Sequence, residues 1–483
     1  MQLTLFVGAT QLCIKPDLPL AVLRELKRTF TFTVPGYQYT RQHRLMGWDG
    51  SICLVKRNQE LPLGCLHRLS NYLKKQDYEV NIVYANECAP KGKIEVADLT
   101  LDSFQIRAVK RALKYRYGVL MAPMRSGKTA IMGAVVNAIG HYPVWLVTSG
   151  SDLVVQSKID LEKHLNCKIG FFSESEYCPG DVTLTSYQAL TAACSGERAK
   201  KAETKRRNVK IQKELEKAKV LILDECHHAV SPKFEKILGR FKNAAYRIGL
   251  SATPKPDKVP LLEFESKLGS VISLTPYQTL IDQGRLAKPL IVMYDLPYAW
   301  YTSYLPTYAD VQVSNLVDNL MRNRFIARIT EKLKEQGKTV FIKVTRLDHG
   351  NNLHDMIPGS VFVQGSMASS IRKGIYQALQ DKTIHCVIAT VGKEGLNLPK
   401  LDAVINAEGM RSRLASRQKM RSLTAAEGKK YGLIIDFIDK GKYLRKHARK
   451  RLALYKGMTG FKVQIKKVSK DLFPMEGSRW QLK

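Results

Sequence analysis

Residues 122–129 read Ala122-Pro123-Met124-Arg125-Ser126-Gly127-Lys128-Thr129 and follow directly on the apolar run Val119-Leu120-Met121. Small residues and glycine let backbone N–H groups converge on phosphate oxygens, and a helix starting there adds its positive N-terminal end. Ile131, Ala134, Val135 and Ala138 recur at helical spacing until Gly140, so the stretch reads as strand, phosphate loop, helix. Pro123, Met124, Arg125, Ser126 and Gly127 would then cradle a triphosphate. Lys128 would reach its β- and γ-phosphates, and the Thr129 hydroxyl would ligate magnesium. Ala122 stands where such loops usually open with glycine, and the string alone also fits a chance glycine–lysine turn.

A second string narrows the reading. Residues 220–228 are Val-Leu-Ile-Leu-Asp-Glu-Cys-His-His, an apolar run bounded by charge, as expected of a fully buried parallel strand. Asp224 and Glu225 emerge at its carboxyl end, where open α/β sheets hold their ligands. Asp224 suits magnesium held through water, and Glu225 suits orienting or deprotonating an attacking water. His227 and His228 lack a third metal ligand at suitable spacing, so they read as a polar link between ATP and the neighbouring motif. Gly249-Leu250-Ser251-Ala252-Thr253-Pro254 follows at the end of another apolar segment. Each string alone has a plain explanation; the ordered set points to ATP.

The chain has 483 residues, room for about three domains, and an ordinary globular composition with 45% apolar and 25% charged residues. Its charge is not ordinary. Lys plus Arg number 77 against 43 acidic residues, giving +34. Such a field attracts polyanions, which makes nucleic acid the leading partner. A membrane surface competes, but no amphipathic anchor, signal peptide or apolar run approaching about 20 residues is visible. The nine cysteines are scattered singly without a Cys-x-x-Cys pair, which argues for reduced thiols in a cytoplasmic compartment without structural zinc.

Four regions are expected. Residues 1–95 read as a small α+β unit, with Leu3–Val7, Phe30–Val34 and Ile52–Val55 as strands and helices over 20–28 and 66–75. Residues 96–285 and 286–439 both alternate apolar strands with helical patterns, which calls for two α/β parallel sheets covered by helices. In the first set the strands are 144–147, 182–184, 220–223 and 247–250. In the second they are 339–344, 360–363, 386–389, 403–405 and 432–435. Residues 440–483 form a basic extension, with 14 Lys or Arg against two acids. Residues 197–219 hold ten Lys or Arg against four Glu, the pattern of a solvated surface helix.

These ordered strings resemble the motif set of superfamily 2 helicases from about residue 100 to 437. Phe104-Gln105 resembles the adenine-reading glutamine motif, and residues 122–129, 224–228 and 251–254 resemble motifs I, II and III. Gln156 and Thr185-Ser186-Tyr187 resemble nucleic-acid-facing motifs of the first motor domain. The run from Thr390 to Pro399 resembles motif V, with Thr390 toward nucleic acid and Gly395 toward nucleotide. Motif VI departs. Within residues 417–424, Met420 replaces the expected glycine and Thr424 the expected last arginine. Arg421 is the candidate arginine finger and Arg417 its alternative at the nucleotide. Asn397 likewise replaces the usual motif V aspartate.

More narrowly, Gly47-Trp48-Asp49-Gly50, Leu61-Pro62-Leu63-Gly64 and Tyr443-Leu444-Arg445-Lys446-His447 resemble the flanking domains of phage UvsW-type branch-migration helicases. The resemblance implies two RecA-like lobes that close on ATP and magnesium and remodel forked or four-way DNA, acting as a monomer. Trp48 suits a stacking wedge, though packing within its own small domain is the commoner use of a turn tryptophan. Two other readings stay open. One is a double-strand translocase that does not unwind. The other is a DNA-binding protein with weak ATPase, given the altered motif VI.

Overall fold

The computed structural model describes residues 2–97, 99–123, 125–195, 202–252, 259–390, 401–410, 431–458 and 460–472. The chain divides into two compact units, Met1–Thr275 and Pro276–Lys483.

The first unit is built on an eight-stranded sheet. Its order is Tyr177–Cys178, Ile169–Phe172, Val182–Ser186, Val144–Thr148, Val220–Asp224, Tyr246–Ser251, Tyr117–Met121, Val271–Leu274. All pairings are parallel except the one at the Tyr177–Cys178 edge. Because side chains alternate along a strand, the central strands feed two cores. Val220 and Ile222 enter the core with Ile131, Val135 and Leu161, whereas Leu221 and Leu223 enter the opposite one with Leu190, Phe234 and Phe264. The apolar runs legible in the sequence are therefore buried on both faces.

Residues 2–84 add a four-stranded sheet in the order Glu60–Pro62, Gln11–Lys15, Gln2–Val7, Glu79–Tyr84. Gln2–Val7 runs antiparallel to Gln11–Lys15 and parallel to Glu79–Tyr84. Helices Leu20–Thr29 and Leu66–Lys75 cover it through Leu26, Leu66, Leu69 and Leu73. Thr31–Thr33 and Ser51–Cys53 form a separate hairpin. Trp48 is half-buried against Tyr37, with its indole N–H donating to Ser51 O at 3.1 Å, so it packs its own turn.

The second unit carries a fully parallel seven-stranded sheet in the order Ser360–Val363, Cys386–Ala389, Val340–Lys343, Ala403–Asn406, Tyr431–Ile438, Lys288–Asp295, Lys462–Lys467. The basic extension is thus partly structural. Lys462–Lys467 is an edge strand, and helix Leu444–Lys456 buries Leu444, Ala448, Arg451 and Tyr455. Among the described residues no helix is long and apolar enough to cross a membrane.

Candidate active site

The strands that carry the three strings are neighbours. Tyr246–Ser251 lies between Val220–Asp224 and Tyr117–Met121, with Asp224 opposite Leu250 and Ser251 opposite Met121. Parallel register therefore delivers the phosphate loop, the acidic pair and Ser251 to one edge of the sheet. Ala122 N donates to Ser251 O at 3.0 Å, which ties the loop to the middle strand as it leaves the sheet.

The loop is held from below. Ser126 donates its hydroxyl to Pro123 O at 2.6 Å, and Arg125 and Gly127 take left-handed φ values of 63° and 72°. A Cβ on Gly127 would stand 2.4 Å from Gln105 Nε2, so this position admits only glycine without rearrangement. Helix Lys128–Ile139 begins there, with its unpaired N–H groups and positive end at the loop.

Lys128 leads the site's electrostatics. Its ammonium lies 2.6 Å from Glu225 Oε1 and 3.5 Å from Asp224 Oδ1, and all three side chains are mostly buried. Glu225 sits in the left-handed region at φ 47°, ψ 49°, and its N–H donates to Asp224 Oδ1 at 2.9 Å. A non-glycine residue there is strained, and such strain concentrates at functional positions. Ser251 Oγ donates to Glu225 Oε2 at 3.3 Å and lies 3.1 Å from His227 Nδ1. His227 thus joins the acidic pair to the Ser251 strand.

Gln105 is buried and doubly engaged. Its Oε1 accepts from Asp102 N at 2.8 Å, and its Nε2 donates to Ser126 O at 2.9 Å. It caps its own helix and braces the phosphate loop, beside the buried Phe104.

The expected nucleic-acid residues divide. Gln156 is exposed and donates to Asp160 at 3.1 Å. Thr390 is half-buried at the carboxyl end of Cys386–Ala389. Thr185 is a correction: it is fully buried, because its strand is covered on both faces, and its hydroxyl does not reach solvent. Tyr187, read as nucleic-acid-facing, instead donates its hydroxyl to Asp224 O at 2.9 Å and supports the acidic pair. No local pattern around Tyr187 signals that contact, because Asp224 lies 37 residues away in the chain. Met124, Thr253, Pro254, Gly395, Arg417 and Arg421 lie outside the described residues, and Thr129 is half-buried in the first helical turn.

Residues 98–256 match the family described as Type III restriction enzyme, res subunit, and residues 15–83 match the one described as DNA helicase UvsW, N-terminal. With its motif order and paired parallel sheets, the chain is an ATP-dependent DNA helicase of superfamily 2. Within that class, the two family matches support a UvsW-like helicase. It is similar to the ATP-dependent DNA helicase uvsW of Enterobacteria phage T4, at 21% identity over 463 residues and 88% of each chain. The DNA 3'-5' translocase XPB2 of Sulfurisphaera tokodaii is 29% identical over 167 residues, 35% of this chain and 33% of that one. The solved structure of the Type ISP restriction-modification enzyme LlaBIII bound to DNA aligns with 78% of this chain and 32% of its own. Its TM-score of 0.54 at 14% identity is a likeness of fold.

Proposed function

We propose that this helicase remodels branched DNA, forks and four-way junctions, and that residues 1–95 select the substrate while 96–285 and 286–439 form the motor. The observation that carries the motor reading is the Lys128–Glu225–Ser251–His227 chain, which wires the phosphate loop to the middle strand of the sheet. ATP with magnesium fits these residues. The loop is pre-formed at a helix N-terminus, Lys128 already holds two carboxylates, and Thr129 and Asp224 offer the oxygens that magnesium prefers. Bound there, ATP supplies the free energy of phosphoryl transfer. Lys128 holds phosphate charge, Glu225 orients and deprotonates water, and Arg421, with Arg417 as the alternative, adds positive charge in the transition state. Gln156 and Thr390 contact the nucleic-acid backbone, which fixes position without reading sequence.

Selection by the N-terminal region is supported by the family match over 15–83 and by the exposed short helix Arg41–Met46, which carries Arg41, Arg44, Leu45 and Met46 beside the exposed Tyr39. Nine cysteines without a disulfide support a reducing, cytoplasmic setting, and the chain is read as a monomer. A duplex translocase is the second reading, favoured by the restriction-subunit match over 98–256.

The test measures ATP hydrolysis, DNA binding and strand separation together. Lys128→Ala is expected to abolish hydrolysis and leave DNA affinity within about threefold, since phosphate contacts come from other basic residues. Near-normal hydrolysis in that variant would sink the site assignment. Triplex displacement without fork unwinding would select the translocase.

A further inference from the structure

Residues 440–470 contain twelve Lys or Arg and no Asp or Glu. The other basic segment, helix Ala202–Lys217, carries its own acids, and within it Glu214 pairs with Lys217 at 2.9 Å. Nothing comparable offsets the second segment from within. Arg451 turns inward to Asp436, and Lys440 pairs with Asp295. Lys442, Arg445, Lys446, Arg449 and Lys456 face solvent on one side of helix Leu444–Lys456.

An aromatic loop lies along that helix. Residues 298–308 read Tyr-Ala-Trp-Tyr-Thr-Ser-Tyr-Leu-Pro-Thr-Tyr. Its base is fixed, because Trp300 and Tyr301 are buried and Tyr301 donates to Asp439 Oδ1 at 2.9 Å. Both ends rest on the basic helix. Tyr298 carries Lys440 Nζ at 5.0 Å and the Arg445 guanidinium at 5.9 Å from its ring, and Tyr308 meets Tyr443 and His447 edge-on at 5.7 and 5.5 Å. The loop exposes large rings at one end and at its middle: Tyr298 is 53% exposed and Tyr304 is 96% exposed. Loop and helix both leave the carboxyl ends of paired parallel strands, where Asp295 lies opposite Ile438. Open α/β sheets bind ligands on that side.

We infer that Tyr298 and Tyr304, with Lys442, Arg445 and Arg449, form a platform for single-stranded nucleic acid on the second unit. Cations take the phosphates and the tyrosine faces take bases, a combination that tolerates any sequence. A duplex keeps its bases stacked inside and offers the rings nothing. The platform extends the proposed function, since it rests on the DNA-helicase reading but lies outside residues 1–95 and the motif residues.

The test uses the full chain with two probes, oligothymidylate and an abasic oligomer of equal length. Replacing both tyrosines, Tyr298→Ala with Tyr304→Ala, is expected to weaken oligothymidylate binding about tenfold and leave the abasic probe unchanged. The paired Phe variants restore binding, which separates stacking from misfolding. Arg445→Glu with Arg449→Glu weakens both probes and reduces the salt dependence by roughly one to two phosphate contacts. Wild-type affinity in the alanine variant, or an equal loss on both probes, overturns the platform. Equal weakening on a duplex of that length also overturns it. DNA-stimulated ATP hydrolysis by the unaltered chain tests the helicase reading separately, so the two failures are distinguishable.

Discussion

Lys128 holds one positive charge against two carboxylates, at 2.6 Å from Glu225 and 3.5 Å from Asp224. Phosphates arriving at the helix N-terminus compete for the same ammonium. On the roles proposed for them, Glu225 would be freed to act on water as Lys128 turned to those phosphates, coupling nucleotide binding to activation of the base. Hydrolysis then needs a further cation at the developing charge. Arg421 keeps the family's register, although Met420 and Thr424 do not. Arg421→Ala is expected to lower turnover by about a hundredfold or more with nucleotide affinity changed less than about threefold, because a finger acts mainly in the transition state. Steady-state hydrolysis and nucleotide titration measure the two quantities. If Arg417→Ala behaves that way and Arg421→Ala does not, the finger lies four residues earlier in the chain.

Elements with a single purpose were the legible ones. Val220–Asp224 reads as a buried strand because every residue before the acid is apolar, and helix Leu66–Lys75 shows itself through Leu66, Leu69 and Leu73. The phosphate loop and acidic pair were equally plain, being local strings. Helix Leu444–Lys456 was not legible as core. Its inward position at Arg451 carries a charge, and only the tertiary partner Asp436, at 2.9 Å, makes that arginine an interior residue. Tyr187 and Thr185 were hidden for the same reason: burial and a contact to Asp224 depend on strands distant in sequence.

His349 is another such interior group. It is buried beside Arg322, donates Nε2–H to Asn323 Oδ1 at 3.1 Å, and burial followed by that positive neighbour pushes its pKa down to about 3. The unfolded chain takes up this proton near pH 6.5 and the folded chain does not. Stability linked to His349 is therefore complete above pH 6.5 and declines as pH falls toward 3, with a slope up to about 1.4 kcal/mol per pH unit. Denaturant unfolding of the wild type and His349→Gln between pH 4 and 7, scales set by the same linkage, should show a shallower loss in the variant. Identical slopes would place the proton uptake on another group.

At the scale of the whole molecule, the N-terminal sheet is joined to the first motor sheet by a built seam. Arg68 Nε meets Glu265 Oε2 at 2.6 Å, and His67 Nε2 donates toward Tyr117 O at 2.8 Å, on the strand that leads into the phosphate loop. Tyr117 and Leu262 belong to the N-terminal core itself. A truncation after residue 95 would uncover both, so it tests folding as much as substrate choice. Point changes separate the two. Gly64 packs so closely that an added Cβ would stand 2.1 Å from Glu265 O, which makes Gly64→Ala a wedge in the seam. Arg41 and Arg44 lie on the exposed short helix Arg41–Met46. If this helix selects branched DNA, Arg41→Glu with Arg44→Glu will lose the preference for forks over linear duplex of equal length. Its ATPase on linear duplex and its melting temperature will stay near wild type. Gly64→Ala will lower the melting temperature and weaken the fork preference only in proportion to the seam it opens. Competition binding at fixed salt decides the matter, because phosphate contacts alone favour any longer DNA and fade as salt rises. An undiminished fork preference in the double glutamate variant would move selection off this helix, and its loss in Gly64→Ala alone would assign it to the seam.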